Sequence, residues 1–366
     1  MTGVRKIGVL IVDDSAIVRK ILSETLAAED DIEVLATAPD PIVALEKIRR
    51  LKPDVLTLDL ELPRMDGLTF LKALMESAPL PVIVVSSLAQ SSCLAAMEAL
   101  RSGAVDVLAK PSGPYSVGEL RDGMGARIRA AAGAKLRRPA ASPPPPATAG
   151  LAAPEHPPGY DDDALIAIGA STGGTEAIAA IFALLPAGMP PILIAQHIPP
   201  VFSATFAERL KRISRLDVRE AADGDTLRAG LALVAPGGLH MLVERRAGRY
   251  AVRMKEGPLV QYQRPSVDVL FASVAEAAAG HAVGVLLTGM GRDGADGLLR
   301  MRRSGARTLA QDEVTSVVFG MPREAIKLGA AGRVLPLEGM AAGILNALAT
   351  PSRAPDPSIE APHRSV

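Results

Sequence analysis

Ser171 stands in the segment L-I-A-I-G-A-S-T-G-G (165–174), where an apolar run stops at Gly169 and two glycines follow the serine. This is G-x-S-x-G at a strand-to-helix junction, a turn that lifts a serine hydroxyl clear of a sheet edge. Backbone N–H groups after the serine then face the place where an oxyanion would form. A glycine-rich turn holding a phosphate is the alternative for the motif by itself. A nucleophilic serine needs a base and an orienting acid. Of five histidines, His156 falls in a proline-rich stretch, His363 near the C-terminus, His281 before a strand and His240 at the start of a hairpin strand. His197 follows the strand-like P-I-L-I-A-Q and precedes I-P-P, which puts it at a carboxyl strand end and makes it the best base. The run V-G-V-L-L-T-G-M-G-R-D-G (283–294) supplies Asp293 in a glycine-rich loop. Asp293 has a rival role as the N-cap of the following helix, and Asp296 lies one turn inside that helix.

A second set of chemical residues lies in the first half. Asp13 and Asp14 end one apolar run, Asp59 another, Ser86 a third, and Lys110, before Pro111, a fourth. Ligands of open α/β sheets bind at carboxyl strand ends. Three close carboxylates repel one another unless a hard cation sits among them, and Mg²⁺ suits few protein oxygens plus water and phosphate. A lysine and a hydroxyl facing that cluster suit a phosphoryl group carried on one carboxylate. Each Asp taken singly reads as a helix N-cap; the combination at four strand ends does not.

The elements that must position these groups follow from hydrophobic periodicity. Predicted strands in the first half are 7–12, 32–38, 55–58, 82–85 and 105–108, alternating with helical patterns such as 17–26, 41–51 and 94–100. The second half predicts strands at 165–169, 192–196, 231–235, 283–288, 308–310 and 333–335, with a hairpin over 240–254 turning near 247–248. Both halves therefore predict doubly wound parallel-sheet α/β domains, the first flavodoxin-like, the second Rossmann-like. The domains are placed at 1–133 and 161–349. Between them, 134–160 is Pro/Ala-rich and reads as a semi-rigid linker, and the Pro/Ser-rich 350–366 as a disordered tail.

The 366 residues suit two domains. With 40 Lys+Arg against 40 Asp+Glu, and no basic run, nothing points to nucleic acid. The single cysteine, Cys93, excludes an internal disulfide framework and suits a reducing compartment. The N-terminal apolar run, 7–12, is too short for a signal-peptide core and no uninterrupted apolar run is long enough to span a membrane, so a soluble cytoplasmic protein without membrane insertion is expected. One decoy exists: G-M-G-R-D-G (289–294) also fits the G-x-G-x-x-G dinucleotide fingerprint, with Asp312 beyond it. It accounts for neither the serine turn nor His197.

The order Ser…His…Asp differs from the Ser…Asp…His of α/β-hydrolases. V-D-D-S-A (12–16), L-T-L-D-L-E-L-P-R-M-D-G-L (56–68), V-V-S-S (84–87) and A-K-P (109–111) resemble a response-regulator receiver domain. G-A-S-T-G-G (169–174), A-Q-H-I-P-P (195–200), A-P-G-G-L-H (235–240), R-P-S-V-D-V-L-F (264–271), L-T-G-M-G-R-D-G-A (287–295) and F-G-M-P-R-E-A (319–325) resemble the chemotaxis-type protein-glutamate methylesterases. The receiver resemblance implies that Asp59 is the phospho-acceptor. It also implies Mg²⁺ held by Asp14 and Asp59, by Asp13 through water and by the Glu61 carbonyl, with Ser86 and Lys110 sensing the phosphoryl group. Ser87 is a neighbour easily confused with Ser86. The methylesterase resemblance implies a Ser171–His197–Asp293 triad with no metal, and oxyanion donors at the Thr172 and Met290 amides. Its substrates would be glutamyl methyl esters and glutamines of methyl-accepting chemoreceptors, and its phosphodonor a histidine kinase. Gln263 departs from the pattern, which leads one to expect His there. The architecture suggests that the receiver blocks Ser171 until Asp59 is phosphorylated. A receiver-controlled binding module without catalysis, and a receiver fused to a dinucleotide-dependent enzyme, are the alternatives.

Overall fold

The computed structural model describes residues 5–110, 114–136 and 160–349. The chain divides into two compact units, Met1–Ala147 and Thr148–Val366. The expected tail, and all of the expected linker except 134–136 and Tyr160, lie outside the described residues.

The first unit alternates β1 (Ile7–Val12), α1 (Ala16–Ala27), β2 (Ile32–Ala38), α2 (Pro41–Leu51), β3 (Val55–Asp59), α3 (Gly67–Ser77), β4 (Val82–Ser86), α4 (Gln90–Arg101), β5 (Asp106–Ala109) and α5 (Pro114–Ala132). Its strands pair in parallel in the order β2-β1-β3-β4-β5. Strand order reverses between β1 and β3, which makes the crevice beyond those strands the ligand site of a flavodoxin-like sheet. β3 and β4 are buried along their whole length, as strands covered by helices on both faces must be. Asp40 and Asp66 are true N-caps, accepting from backbone amides of α2 and α3. Asp13 and Asp59, by contrast, are buried at strand ends.

The second unit contains β6 (Leu165–Ala170), α6 (Gly174–Phe182), β7 (Ile192–Gln196), α7 (Phe202–Ile213), β8 (Asp217–Glu220), β9 (Leu231–Val234), β10 (His240–Arg246), β11 (Arg249–Lys255), α8 (Val267–Ala278), β12 (Ala282–Leu286), α9 (Ala295–Arg303), β13 (Arg307–Gln311), α10 (Met321–Lys327), β14 (Arg333–Leu335) and α11 (Leu337–Ala349). Seven strands form a parallel sheet in the order β14-β13-β12-β6-β7-β9-β8. Strand order reverses between β6 and β12, so the loops after these two strands flank the binding crevice. β10 and β11 form a separate antiparallel hairpin whose buried Met241, Val243 and Val252 join Leu270, Phe271 and Val274 of α8 in one core.

Most predicted strands recur within a residue or two. The strand expected at 283–288 stops at Leu286, because the Thr288 amide turns away to the side chain of Gln311, at 2.9 Å. β8 was not expected: D-V-R-E carries no apolar run, and only its place at the sheet edge makes it a strand.

Candidate functional site

Ser171 follows β6 and His197 follows β7. The last register pair of those strands is Ala170 and Gln196, and the His197 amide donates to the Ala170 carbonyl at 3.1 Å. Sheet pairing therefore brings serine and histidine side by side across a gap of 26 residues in sequence. The Ser171 amide donates to Thr288 at 3.0 Å, which ties the serine turn to the loop after β12. Two glycines make this crowding possible. Gly173 has φ +76°, and a Cβ there would meet Val317 at 2.7 Å. A Cβ on Gly289 would lie 2.7 Å from Ser171 Cβ and 2.3 Å from Met321 Sδ.

His197 and Asp293 are both buried, and His197 Nε2 meets Asp293 Oδ2 at 2.7 Å. The carboxylate is seated on the N-terminus of α8. Its Oδ2 also accepts from the Val267 amide at 2.7 Å, and its Oδ1 accepts from Ser266 Oγ at 2.8 Å and the Asp268 amide at 3.0 Å. A helix N-terminus favours a carboxylate there. Burial alone would raise the Asp293 carboxyl; the hydrogen bond and charge of His197, with the Asp268 amide and Ser266 hydroxyl, outweigh it and hold the group below the ordinary carboxylate range. The N-cap of α9 is Gly294, so Asp293 is not spent on capping. Asp296 pairs with Arg292 on the exposed side of that helix.

Nε2–H of His197 donates a hydrogen bond to the Asp293 carboxylate, and Nδ1 is buried without a hydrogen-bond partner. The free lone pair is therefore on Nδ1, the reverse of the nitrogen assignment in the serine-protease triad. The Gly289 amide is engaged with the Val318 carbonyl at 3.0 Å. Thr288 Oγ1 donates to the Thr172 carbonyl at 3.0 Å.

Several supporting residues escaped sequence reasoning. His240 is buried; its Nδ1 accepts from the Ser266 amide at 3.2 Å and its Nε2 bonds the Pro258 carbonyl at 3.0 Å. Asp268 accepts from the Gly297 amide at 2.7 Å; burial, with the charge of Asp293 adding, pushes its carboxyl up to about 7. Gln196 Nε2 reaches the carbonyls of both Ser171 and His197. The motifs R-P-S-V-D and A-Q-H marked these stretches without saying what each side chain touches. Gln263 closes a turn with Val260 through paired backbone hydrogen bonds. Asp312, which a dinucleotide reading needs at the ribose, spends its carboxylate on the amide and hydroxyl of Thr315, at 2.9 and 2.6 Å. His281 pairs with Asp161 at the opposite end of the sheet, where β6 and β12 begin.

In the first unit the expected acids also converge. Carboxylate oxygens of Asp13, Asp14 and Asp59 lie within 4.8 Å of one another, the one such cluster among the described residues. Lys110 Nζ stands 2.6 Å from Asp59 Oδ2 and 3.4 Å from Asp13 Oδ2, and the latter oxygen has no hydrogen-bond partner. Burial pushes the Asp13 and Asp59 carboxyls up despite Lys110. Burial works against the Lys110 ammonium, but the two carboxylates outweigh it and hold its pKa above the ordinary value. Carboxylate oxygens from three residues this close together fit a hard divalent cation. Ser86 is the buried last residue of β4, as the strand-end argument requires. Ser87, its rival, bonds the Glu61 carboxylate at 3.1 Å, as does Ser92.

Comparisons with known proteins place the chain in a family. Residues 166–344 match the CheB methylesterase family and residues 9–120 the response regulator receiver domain. The chain is 50% identical over 336 residues to protein-glutamate methylesterase/protein-glutamine glutaminase 2 of Syntrophus aciditrophicus, covering 92% of this chain and 97% of that protein. It is 51% identical over 341 residues to the enzyme numbered 4 of the same name from Anaeromyxobacter dehalogenans, covering 93% and 95%. The crystal structure of the Thermotoga maritima CheB methylesterase catalytic domain is 35% identical, spans 50% of this chain and 97% of its own, and superposes with a TM-score of 0.49. No helix among the described residues is long and apolar enough to cross a membrane. At this identity, over nearly the whole length of its relatives, the chain belongs to the CheB-type protein-glutamate methylesterase/protein-glutamine glutaminase family.

Proposed function

We propose that this chain hydrolyses glutamyl methyl esters on chemoreceptors, and deamidates glutamines there, through Ser171, His197 and Asp293. The observation that carries the reading is the buried His197–Asp293 pair, whose Nδ1 has no hydrogen-bond partner and which sits at the end of β7, beside the end of β6 that carries Ser171. Ser171 Oγ attacks the side-chain carbonyl of the ester while its proton passes to His197 Nδ1. The oxyanion is met by the Thr172 and Met290 amides. Methoxide departs with the proton from Nδ1 as methanol. Water, deprotonated by Nδ1, then attacks the acyl group; Ser171 recovers its proton and glutamate is released. Asp293 fixes the tautomer and stabilises the imidazolium throughout. An amide of the same shape loses ammonia by the same route.

Asp59 is the phospho-acceptor of this reading, with a histidine kinase as donor, and its phosphorylation raises esterase activity. Asp13, Asp14, Asp59 and the Glu61 carbonyl would hold Mg²⁺, which supplies charge neutralisation for phosphoryl transfer. Lys110 contacts Asp59 already, and Ser86 stands one register position beyond it. The enzyme works in the cytoplasm, where its kinase and the receptor's modified helices are found. A fluorophosphonate that labels wild type but not Ser171→Ala, and is blocked by methyl-esterified receptor, is the expected result. Failure to label Ser171 in folded protein favours the binding-module alternative.

A further inference from the structure

We propose that Gln196 is a positioning residue that aims the Thr172 N–H at the oxyanion and locks it to the His197 backbone. The inference rests on the esterase reading above. The Ser171 carbonyl and the Thr172 N–H belong to one planar peptide group, so whatever fixes the first fixes the direction of the second. That carbonyl accepts two hydrogen bonds, from Gln196 Nε2 at 2.9 Å and from the Gly174 amide at 2.7 Å. Accepting bonds at the carbonyl also polarises the peptide and strengthens its N–H as a donor. The same Nε2 donates to the His197 carbonyl at 3.1 Å, so one amide group joins the backbone of the nucleophile turn to that of the base.

The arrangement is costly, which separates it from ordinary packing. Gln196 is 3% exposed, and its Oε1 is buried with no hydrogen-bond partner. An apolar side chain of the same size would leave no such orphan. Room for Oε1 exists only because residue 174 is glycine: a Cβ there would lie 2.2 Å from it. Two features of the chain, a buried glutamine and an adjacent glycine, thus converge on the orientation of a single peptide.

The test compares wild type with Gln196→Met, which keeps volume and removes the donor, and Gln196→Glu, which replaces the donor with a titratable group. Methanol release from methyl-esterified receptor membranes is measured with kcat and KM separated, alongside Tm. Loss of a whole oxyanion donor lowers rate about 100- to 1000-fold. A mis-aimed donor is expected to lose part of that: kcat of Q196M falls about 10- to 100-fold, with KM within about twofold and Tm within a few degrees. For Q196E the carboxylate form repels the Ser171 carbonyl, whereas the neutral acid can donate to it. Its kcat relative to wild type should therefore climb as pH falls from 8 to 5.5, while the ratio for Q196M stays flat. Should Q196M fail to fold, the Q196E profile decides by itself. Wild-type kcat in folded Q196M, or a flat Q196E ratio, overturns the proposal. An inactive wild type overturns the esterase reading and this role with it.

Discussion

The Asp293 carboxylate accepts four hydrogen bonds, two on each oxygen, and Asp293→Asn shows what they do. An asparagine must turn its NH₂ toward one pair of donors. On the Oδ2 side stand His197 Nε2–H and the Val267 amide; on the Oδ1 side stand the Asp268 amide and the Ser266 hydroxyl. Only the hydroxyl can rotate to accept. The carboxamide oxygen therefore keeps the Oδ2 place, and the His197 tautomer with its free Nδ1 survives. What is lost is the negative charge beside the imidazolium. At about 4 Å and an effective dielectric of ~20 that attraction is about 4 kcal/mol, or about 1000-fold in rate. One amide left facing another donor costs about 1–3 kcal/mol of stability. The assay is methanol release under saturating ester, with Tm measured in parallel. The expected variant is folded, less stable, about 1000-fold slower in kcat, with KM little changed. Activity equal to that of Ser171→Ala would mean the tautomer had flipped and would refute the orientation argument; wild-type kcat would refute a role for the charge.

Three further outcomes follow from the same structure. Asp268 holds a proton when folded between its ordinary pKa near 3.8 and about 7, so it removes stability as pH rises through that window. Asp268→Asn should gain roughly 1–3 kcal/mol over wild type at pH 8 and little at pH 5, read by denaturant titration at each pH; an equal gain at both contradicts the raised carboxyl. In Gly289→Ala the new methyl collides with Ser171 and Met321, so kcat should drop at least about 100-fold, and retained turnover would show that the loop can yield. Asp59→Asn should abolish any rise in methanol release produced by Mg²⁺ plus a small phosphodonor, and a surviving rise would place the acceptor elsewhere.

What was legible in the sequence was largely what sits at the end of an apolar run. Asp59, Ser86, Ser171 and His197 could be placed because a parallel strand announces its own carboxyl end. Asp293 was harder, since an acid before a helix reads equally as a cap, and only the structure shows that Gly294 takes that position and leaves the carboxylate to His197. Gln196, His240, Ser266 and Asp268 act through contacts that bridge separate strands and helices, so spacing along the chain carries no trace of their partners. β8 was missed for the complementary reason: an edge strand need not be apolar, and D-V-R-E is held by pairing with β9 rather than by its own composition.

The most direct test of the account is methanol release from methyl-esterified chemoreceptor, comparing wild type with Ser171→Ala, each with and without Mg²⁺ and a small phosphodonor. The account predicts release that requires Ser171 and rises with the phosphodonor. Release that persists in Ser171→Ala, or none from folded wild type under either condition, would contradict it.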